Sequence, residues 1–207
     1  HLEVGAGDLE LVDGSVRIVG TDRAMSLADI ARATDDKSLL SASGRVEADK
    51  PTFPNGSHVC ELEVDPDTGH VHILRYTIVD DFGVTVNPIL LAGQVFGGVV
   101  QGIGQALLER TVFDEDGQLL TATLLDYAVP RADDVPFFHF ETRNVPTTSN
   151  ALGIKGAGEA GTIGAASAVM NAVIDALSRS VGVTHVDMPA TPEKLWTIIN
   201  EARRAAA

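Results

Sequence analysis

The chain has 207 residues, and 44% of them are hydrophobic, which is enough to bury the core of one domain or of two small ones. Its formal net charge is −14, from 15 basic and 29 acidic residues. Such a surface repels a phosphate backbone, and no cluster of Lys and Arg offsets it, so the composition argues against nucleic-acid binding.

The cysteine content and the apolar runs indicate the environment of the protein. A single cysteine, Cys60, leaves no internal disulfide and no cysteine-ligated iron–sulfur or zinc site within the chain, which indicates a cytoplasmic location. Glycine and glutamine interrupt the most apolar window, residues 89–108, so we expect no membrane span. The first residues show neither a signal peptide nor the start of a domain, and we therefore expect a piece of a larger polypeptide.

Residues 1–45 predict a hairpin followed by a short helix. Apolar and polar residues alternate around Asp13-Gly14, a pair that is typical of two-residue hairpin turns. Ser26 then precedes an apolar run, with Asp29 three residues later, as expected of a helix N-terminus. Residues 46–57 contain Pro, Gly and Ser without any periodicity, and they predict a linker.

Residues 58–207 form the main segment. A period of two on both arms predicts a hairpin, and the turn "DPDTGHVH" between the arms lacks the glycine spacing of a calcium loop, so we expect no metal site there. A long glycine-rich helix follows, apolar nearly all round and therefore expected to be buried. The elements predicted here are hairpin arms over 58–65 and 70–81, strands over 137–145 and 181–188, and helices over 89–110, 165–180 and from Pro192 onward, with Thr191 as N-cap. The fold class is α+β, with antiparallel hairpins and a mixed sheet packed by two or three helices.

The loop "GIKGAGEAGTIG" admits three interpretations. Gly156, Gly158 and Gly161 have the spacing of a dinucleotide-binding turn, but such a turn needs a buried strand before the glycines, and the preceding "VPTTSNALGIK" is polar and contains a proline. The loop can also be a simple connection that caps the next helix. In the third interpretation, the loop holds Glu159 at the helix N-terminus in a confined, partly dry pocket that raises its pKa towards the range of a general base. Lys155 and the loop N–H groups would then meet ligand oxygens.

Four stretches in order resemble a known family. They are "GSHVCELEVDPDTGHVHILRYTIVDDFGVTVNP", "GQVFGGVVQGIGQALLE", "LLDYAVPRADDVP" and "GIKGAGEAGTIGAASAVMNAVIDAL". Together they resemble the C-terminal part of the molybdopterin-binding large subunit of the xanthine dehydrogenase, aldehyde oxidase and carbon monoxide dehydrogenase family. The resemblance covers nearly the whole chain and is firmest over residues 58–180.

The resemblance implies a role for each matching position. Glu159 matches the family's general base, and Gln101 matches a glutamine near the pterin and the metal. No residue of the chain is expected to ligate the metal directly. The positions implied to contact the molybdenum–molybdopterin cofactor are Gln101, Gly102, Lys155, Gly156, Ala157 and Gly158. The wording "GEAGTIGA" is closer to the branch similar to carbon monoxide dehydrogenase, which implies the cytosine dinucleotide form of the cofactor.

The resemblance also implies what completes the site. The family's glycine-phenylalanine-glycine motif and its further active-site loop are not in this sequence, so we expect the rest of the large subunit to complete the cofactor pocket. FAD-binding and iron–sulfur subunits or domains are the implied partners of an enzyme that hydroxylates a small-molecule substrate, namely an aldehyde, an N-heterocycle or carbon monoxide. Homo-oligomerisation is left open. The rival hypotheses are a non-catalytic scaffold that binds no cofactor alone and a small NAD-binding domain.

Overall fold

The computed structural model describes residues 2–46 and 50–205. The chain divides near residue 47 into two compact units. Residues 47–49, within the predicted linker, lie outside the described residues. Each unit has its own secondary structure and is described separately.

The first unit is a small antiparallel sheet with one helix. Its strands are β1 (Leu9–Val12), β2 (Ser15–Ile18) and β3 (Ala24–Ser26), in the order β1-β2-β3, and its helix is α1 (Leu27–Ala33). Short 3₁₀ turns occupy Ala6–Asp8 and Lys37–Leu40. The predicted hairpin and helix are confirmed, whereas β3 was not predicted because three residues are too few to show a period.

Local chemistry accounts for both predicted features of this unit. Asp13 and Gly14 have φ values of 47° and 71°, the pair of positive values that a type I′ hairpin turn requires. Ser26 accepts a hydrogen bond from the Asp29 N–H at 3.1 Å and donates one to Asp29 Oδ2 at 2.7 Å. The Ser26 side chain thus caps the start of α1 by accepting from one of its free N–H groups, and its hydroxyl also binds the Asp29 carboxylate.

The second unit has a mixed sheet covered by helices, which confirms the α+β fold class. Strands β4 and β5 form the predicted antiparallel hairpin, and β6 pairs with β5 in parallel. Asn87 begins the second helix, because its side chain accepts from the N–H groups of Ile89 and Leu90 at 3.1 Å each. The elements are β4 (Asn55–Val64), β5 (Val71–Asp81), α2 (Pro88–Leu107), β6 (His139–Thr142), α3 (Ala160–Val181) and α4 (Pro192–Ala205).

The core of this unit lies where α2 and α3 cross above the sheet. A Cβ atom on Gly98 would lie 2.9 Å from Thr162 N, and one on Gly161 would meet the backbone of α2 at Val95. The two helices therefore approach to backbone contact, which only glycine permits at these positions. The core side chains include Tyr76, Ile78, Val95, Val99, Ile103, Ala165, Val169, Val173, Leu177 and Leu195.

Three expectations for this unit were wrong in part. Strand β4 begins at Asn55, inside the predicted linker, because Asn55 pairs with Asp81 of β5. Residues 181–188 form no strand: α3 ends at Gly182 with φ 74°, and the following chain docks on α2, where the Ala190 N–H donates to Ala106 O at 2.7 Å. The predicted strand over 137–145 is shortened to β6.

The burial of α2 also differs from the prediction. Its C-terminal half is buried, but Ile89 and Leu90 in its first turn are 84% and 71% exposed. Within the part of the chain that the structure describes, the apolar residues of α2 are therefore buried in its C-terminal half and exposed in its first turn.

Helices α2 and α3 are each long and apolar enough to cross a membrane, by length and composition alone. Core helices pass the same test; these two pack on each other, and α3 also packs on strand β4 of the hairpin.

Candidate functional site

The glycine-rich loop that precedes α3 is anchored to the end of β5. The Lys155 N–H donates to Phe82 O at 2.9 Å, and Ile154 forms a bridge with Gly83. No strand precedes the loop within residues 50–153 in the manner of a dinucleotide-binding turn, since only this isolated bridge comes directly before the glycines. The loop thus lies beside the strand end that carries Asp81.

A buried ion pair fixes the same loop. Lys155 Nζ lies 2.5 Å from Asp81 Oδ2, and both side chains are more than four-fifths buried. Asp81 Oδ1 also accepts from the N–H groups of Gly83 at 2.8 Å and Val145 at 2.9 Å. Burial by itself raises the pKa of Asp81, but the hydrogen bonds from Lys155, Val145 and Gly83 outweigh it and lower the pKa to about 2. Lys155 therefore holds the loop through a carboxylate that stays ionised well below neutral pH.

Helix α2 holds the other end of the loop. Gln94 Nε2 donates to Gly158 O at 2.8 Å, across 64 residues of sequence. Directly after this contact, Glu159 is the N-cap residue of α3, as predicted, and its carbonyl accepts from the Ile163 N–H at 3.0 Å. The backbone of Glu159 is thus fixed from both sides.

The Glu159 carboxylate has no hydrogen-bond or ion-pair partner among the described residues. It makes no capping hydrogen bond and is exposed. No hydrogen bond or ion pair joins its carboxylate to any of residues 2–46 and 50–205. The expected confined, partly dry pocket is therefore not formed around Glu159 by the part of the chain that the structure describes.

Gln101 lies beside the first turn of α3. The Thr162 hydroxyl is 3.1 Å from Gln101 Oε1 and 3.0 Å from Gly98 O. The Gln101 side chain is otherwise exposed, and its amide nitrogen donates to no described residue. Thr162 lies three residues after Glu159 in the first turn of α3. Its contact with Gln101 therefore places Gln101 near the N-terminus of α3.

The predicted glycine contacts fall into two groups. Gly102 is buried between the helices, where a Cβ atom would lie 2.6 Å from Ala165 Cβ, so close packing explains this glycine. Gly156 and Gly158 are exposed: a Cβ atom on Gly158 would meet nothing within 4 Å, and one on Gly156 would meet only Thr52 O, at 3.2 Å. Ala157, between them, is half-buried against the core.

The backbone of the exposed part of the loop offers hydrogen-bond donors. The N–H groups of Gly156, Ala157 and Gly158 donate to no acceptor among the described residues. They lie directly before the N-terminus of α3, where unpaired N–H groups and the helix dipole favour negatively charged or oxygen-rich ligands. The arrangement can bind polar ligand oxygens close to the Glu159 carboxylate.

Sequence reasoning missed the residues that hold this loop. Asp81 stood in a quoted motif without an assigned role, and neither Gln94 nor Thr162 was singled out. The partners of Asp81 and Gln94 are 74 and 64 residues away, so no local pattern marks them.

Comparison with known families identifies the domain. The sequence model described as "Molybdopterin cofactor-binding domain" matches residues 1–136, which is well over half of the chain. The chain belongs to this molybdopterin-binding family. The Glu159 loop lies beyond the matched residues, but individual relatives cover it.

Similarity to individual members extends over nearly the whole chain. The chain is 37% identical to the 6-hydroxypseudooxynicotine dehydrogenase complex subunit gamma of Paenarthrobacter nicotinovorans, over 98% of this chain and 27% of that protein. It is 32% identical to the carbon monoxide dehydrogenase large chain of Hydrogenophaga pseudoflava, over 97% of this chain and 26% of that protein.

The fold of the molybdopterin-binding family is also seen in a solved structure. Quinoline 2-oxidoreductase from Pseudomonas putida 86 superposes with a TM-score of 0.77 at 33% identity, over 97% of this chain and 27% of that one. The chain thus spans about a quarter of the length of the relatives that it matches. The resemblance inferred from the four sequence motifs is confirmed at the level of the family.

Proposed function

We propose that this chain forms one wall of the cofactor site of a molybdenum hydroxylase and that Glu159 is the general base of the reaction. One observation carries the proposal: an exposed carboxylate without a described partner stands at the N-terminus of α3, on a backbone fixed by other elements. A general base must be positioned accurately and yet have its oxygens available for a proton. Glu159 meets both requirements.

The residues around Glu159 fit a molybdopterin cofactor. Its phosphate and pterin oxygens are acceptors, and the free N–H groups of Gly156, Ala157 and Gly158 are donors. No Cβ atom hinders close approach at Gly158. The amide nitrogen of Gln101 supplies a further donor next to the same helix end. These observations support Gln101, Gly156, Ala157 and Gly158 as cofactor contacts.

Lys155 and Gly102 act differently in this proposal from the other predicted contacts. The Lys155 ammonium is paired with Asp81, so its main contribution is to hold the loop, and only its remaining donor positions can meet a cofactor oxygen. Gly102 lets α3 pack closely on α2, and this packing fixes the position of the N-terminus of α3, which follows the loop. Both residues therefore act mainly by positioning the loop, and less by contacting the cofactor themselves.

When bound, the cofactor would supply the redox chemistry of an oxidative hydroxylation that takes its oxygen from water. Glu159 would accept the proton that the water gives up. Gln94 and Lys155 would keep the carboxylate in place, since a displacement of about 1 Å at a catalytic group can cost about a hundredfold in rate. The exposed position of Glu159 indicates that residues beyond this wall enclose the site.

The wider assembly is part of the same proposal. Matched relatives carry the names "complex subunit gamma" and "large chain", which describe proteins that belong to multi-subunit enzymes. We infer that the protein containing this chain acts with FAD-binding and iron–sulfur subunits or domains. We also infer that it uses the cytosine dinucleotide form of the cofactor, hydroxylates an aldehyde, an N-heterocycle or carbon monoxide, and is cytoplasmic.

A non-catalytic scaffold is the second candidate. The open position of Glu159 favours it for the isolated chain, because the described residues leave the cofactor wall uncovered. Molybdenum and pterin analysis of the purified 207-residue chain and of the intact protein separates the candidates. The hydroxylase proposal requires cofactor in the intact protein, whereas an intact protein that lacks molybdenum would support the scaffold.

Substitution of Glu159 tests the general base. Glu159→Gln in the intact, cofactor-loaded protein is expected to lower kcat by orders of magnitude while molybdenum content stays close to normal. The matched control is Glu193→Gln, because Glu193 also lies in the first turn of an exposed helix end, that of α4. Retained activity in Glu159→Gln would refute the assignment, and an equal loss in Glu193→Gln would show that the effect is not specific to the loop.

A further inference from the structure

A buried polar cluster of His58, Tyr76 and Asp80 lies on the sheet face beneath the first turns of α3. His58 Nδ1 is 2.9 Å from the Tyr76 hydroxyl, and His58 Nε2 is 3.5 Å from Asp80 Oδ1. The side chains of His58 and Asp80 are 6% and 4% exposed, and Tyr76 is fully buried. The function proposed for the Glu159 loop uses none of these three residues.

The cluster has a preferred direction of hydrogen bonding. Burial, followed by Coulombic interactions with Cys60 and Asp80, raises the pKa of Tyr76, so its hydroxyl stays protonated. If this hydroxyl donates to His58 Nδ1, the ring carries its proton on Nε2 and directs it at Asp80. The other tautomer would point an Nε2 lone pair at a carboxylate and leave the Tyr76 proton without an acceptor. The chain of donors therefore runs from Tyr76 through His58 to Asp80.

Asp80 is left with too few donors. Among the described residues, the one side-chain donor near its carboxylate is His58 Nε2, at a long 3.5 Å from Oδ1. Oδ2 accepts no hydrogen bond from the described residues. A carboxylate has about four acceptor positions, and leaving them empty in a buried place is costly. Asp80 therefore needs a further donor.

An open cavity of about 170 Å³ lies against this carboxylate. Its polar lining comes from Asn55, His58 and Asp80, and its other walls are mostly apolar, from Phe53, Pro54, Ala160 and Ile163. Two glycines also line it: a Cβ atom on Gly56 would collide with Asp80, and one on Gly164 would lie 2.5 Å from the His58 ring. The absence of side chains at Gly56 and Gly164 thus leaves room for Asp80 and His58 at one end of the cavity.

We propose that this cavity is a binding site for a small organic cation with an apolar body, such as a protonated amine or a protonated nitrogen heterocycle. The ligand nitrogen donates to Asp80 Oδ1, the carboxylate oxygen that is not closed off from solvent, and its body packs against Phe53 and Ile163. A single carboxylate at the end of apolar walls selects positive charge, because a neutral ligand leaves the carboxylate uncompensated and an anion is repelled. The volume is below the usual range for drug-sized ligands, so the cavity suits a cation with a single small ring. The proposal does not depend on the role of Glu159.

Calorimetric titration of the intact protein with three probes of equal size tests the proposal. The probes are benzylammonium, neutral benzyl alcohol and anionic benzoate. We expect benzylammonium to bind at least tenfold more tightly than benzyl alcohol, and benzoate not to bind. Absence of benzylammonium binding, or equal affinities for the cation and the alcohol, would overturn the proposal.

Two variants locate the binding. Asp80→Asn removes the charge at nearly constant shape and is expected to abolish the preference for the cation. Phe53→Ser removes an apolar wall from a side chain that is 69% exposed, so the fold tolerates it, and it is expected to weaken benzylammonium binding at least fivefold. The control is Asp175→Asn, an exposed carboxylate further along α3, which is expected to change nothing. Unchanged affinity in Phe53→Ser places the ligand elsewhere and refutes the site, even if Asp80→Asn fails to fold.

Discussion

The ammonium of Lys155 lies 2.5 Å from the carboxylate of Asp81, which joins the last residue of β5 to the loop that carries Glu159. The two residues are 74 positions apart in the sequence. Their pairing makes the position of the loop depend on a buried charge and, through it, on pH.

The pH dependence of stability follows from the low pKa of Asp81. Its folded pKa is about 2, below the ordinary value of 3.8, so its contribution is present above about pH 4 and is lost as the pH falls towards 2. We expect Asp81→Asn to lower the free energy of unfolding by about 2 kcal/mol at pH 7. The difference from wild type should shrink as the pH falls from 4 to 2. Urea denaturation of both proteins across this range measures it, and a constant difference would contradict the assignment.

The crossing of α2 and α3 predicts opposite effects for two alanine substitutions. Gly161→Ala would place a Cβ atom against the backbone of α2 at Val95, which cannot move aside, so we expect a loss of about 3 kcal/mol in stability. Gly97→Ala, in the middle of α2, meets nothing within 4 Å and is expected to stabilise the helix by up to about 1 kcal/mol. Thermal unfolding of both variants checks the contrast, and similar effects would argue against the tight crossing.

The hydrogen bond from Gln94 to Gly158 predicts a defect in catalysis greater than the defect in stability. Gln94→Ala is expected to cost about 1 kcal/mol in unfolding free energy and, under the function proposed above, to lower kcat roughly tenfold by loosening the backbone before Glu159. Gln105→Ala, an exposed glutamine of the same helix without a described hydrogen bond, serves as the control. Steady-state kinetics with denaturation curves test both variants, and an unchanged kcat in Gln94→Ala would refute the positioning role.

Cys60 is predicted to be unreactive in the folded protein. Burial, and secondly the charge of Glu61, raises the pKa of its thiol to about 12, and only the thiolate reacts with alkylating reagents. At pH 8 we expect iodoacetamide to modify Cys60 at least a hundredfold more slowly in the folded state than in urea. Peptide mapping by mass spectrometry gives both rates. Equal rates would show that β4 does not protect the thiol.

Much of the secondary structure could be predicted because its causes are local. The Asp13-Gly14 turn, the Ser26 and Thr191 caps and the period of two over 58–81 each depend on residues within a few positions of one another. The family could also be inferred from the sequence, because four ordered motifs are far more specific than one glycine pattern. The family resemblance in turn singled out Glu159 as the candidate general base. The failures came where the outcome depends on distant partners, as for residues 181–188, which form no strand, while Ala190 directly after them donates to Ala106 of α2.

The sequence by itself therefore determined the α+β composition, the hairpins, the helices and the place of Glu159 at a helix start, since propensity, periodicity and capping act over one or two turns of chain. Only the tertiary structure decided what surrounds that glutamate. The contacts of Lys155 with Asp81 and of Gln94 with Gly158, the approach of Gly161 to α2 and the under-satisfied Asp80 beside its cavity all join residues far apart in the chain. Their distances follow from how the helices pack on the sheet, which no local pattern encodes.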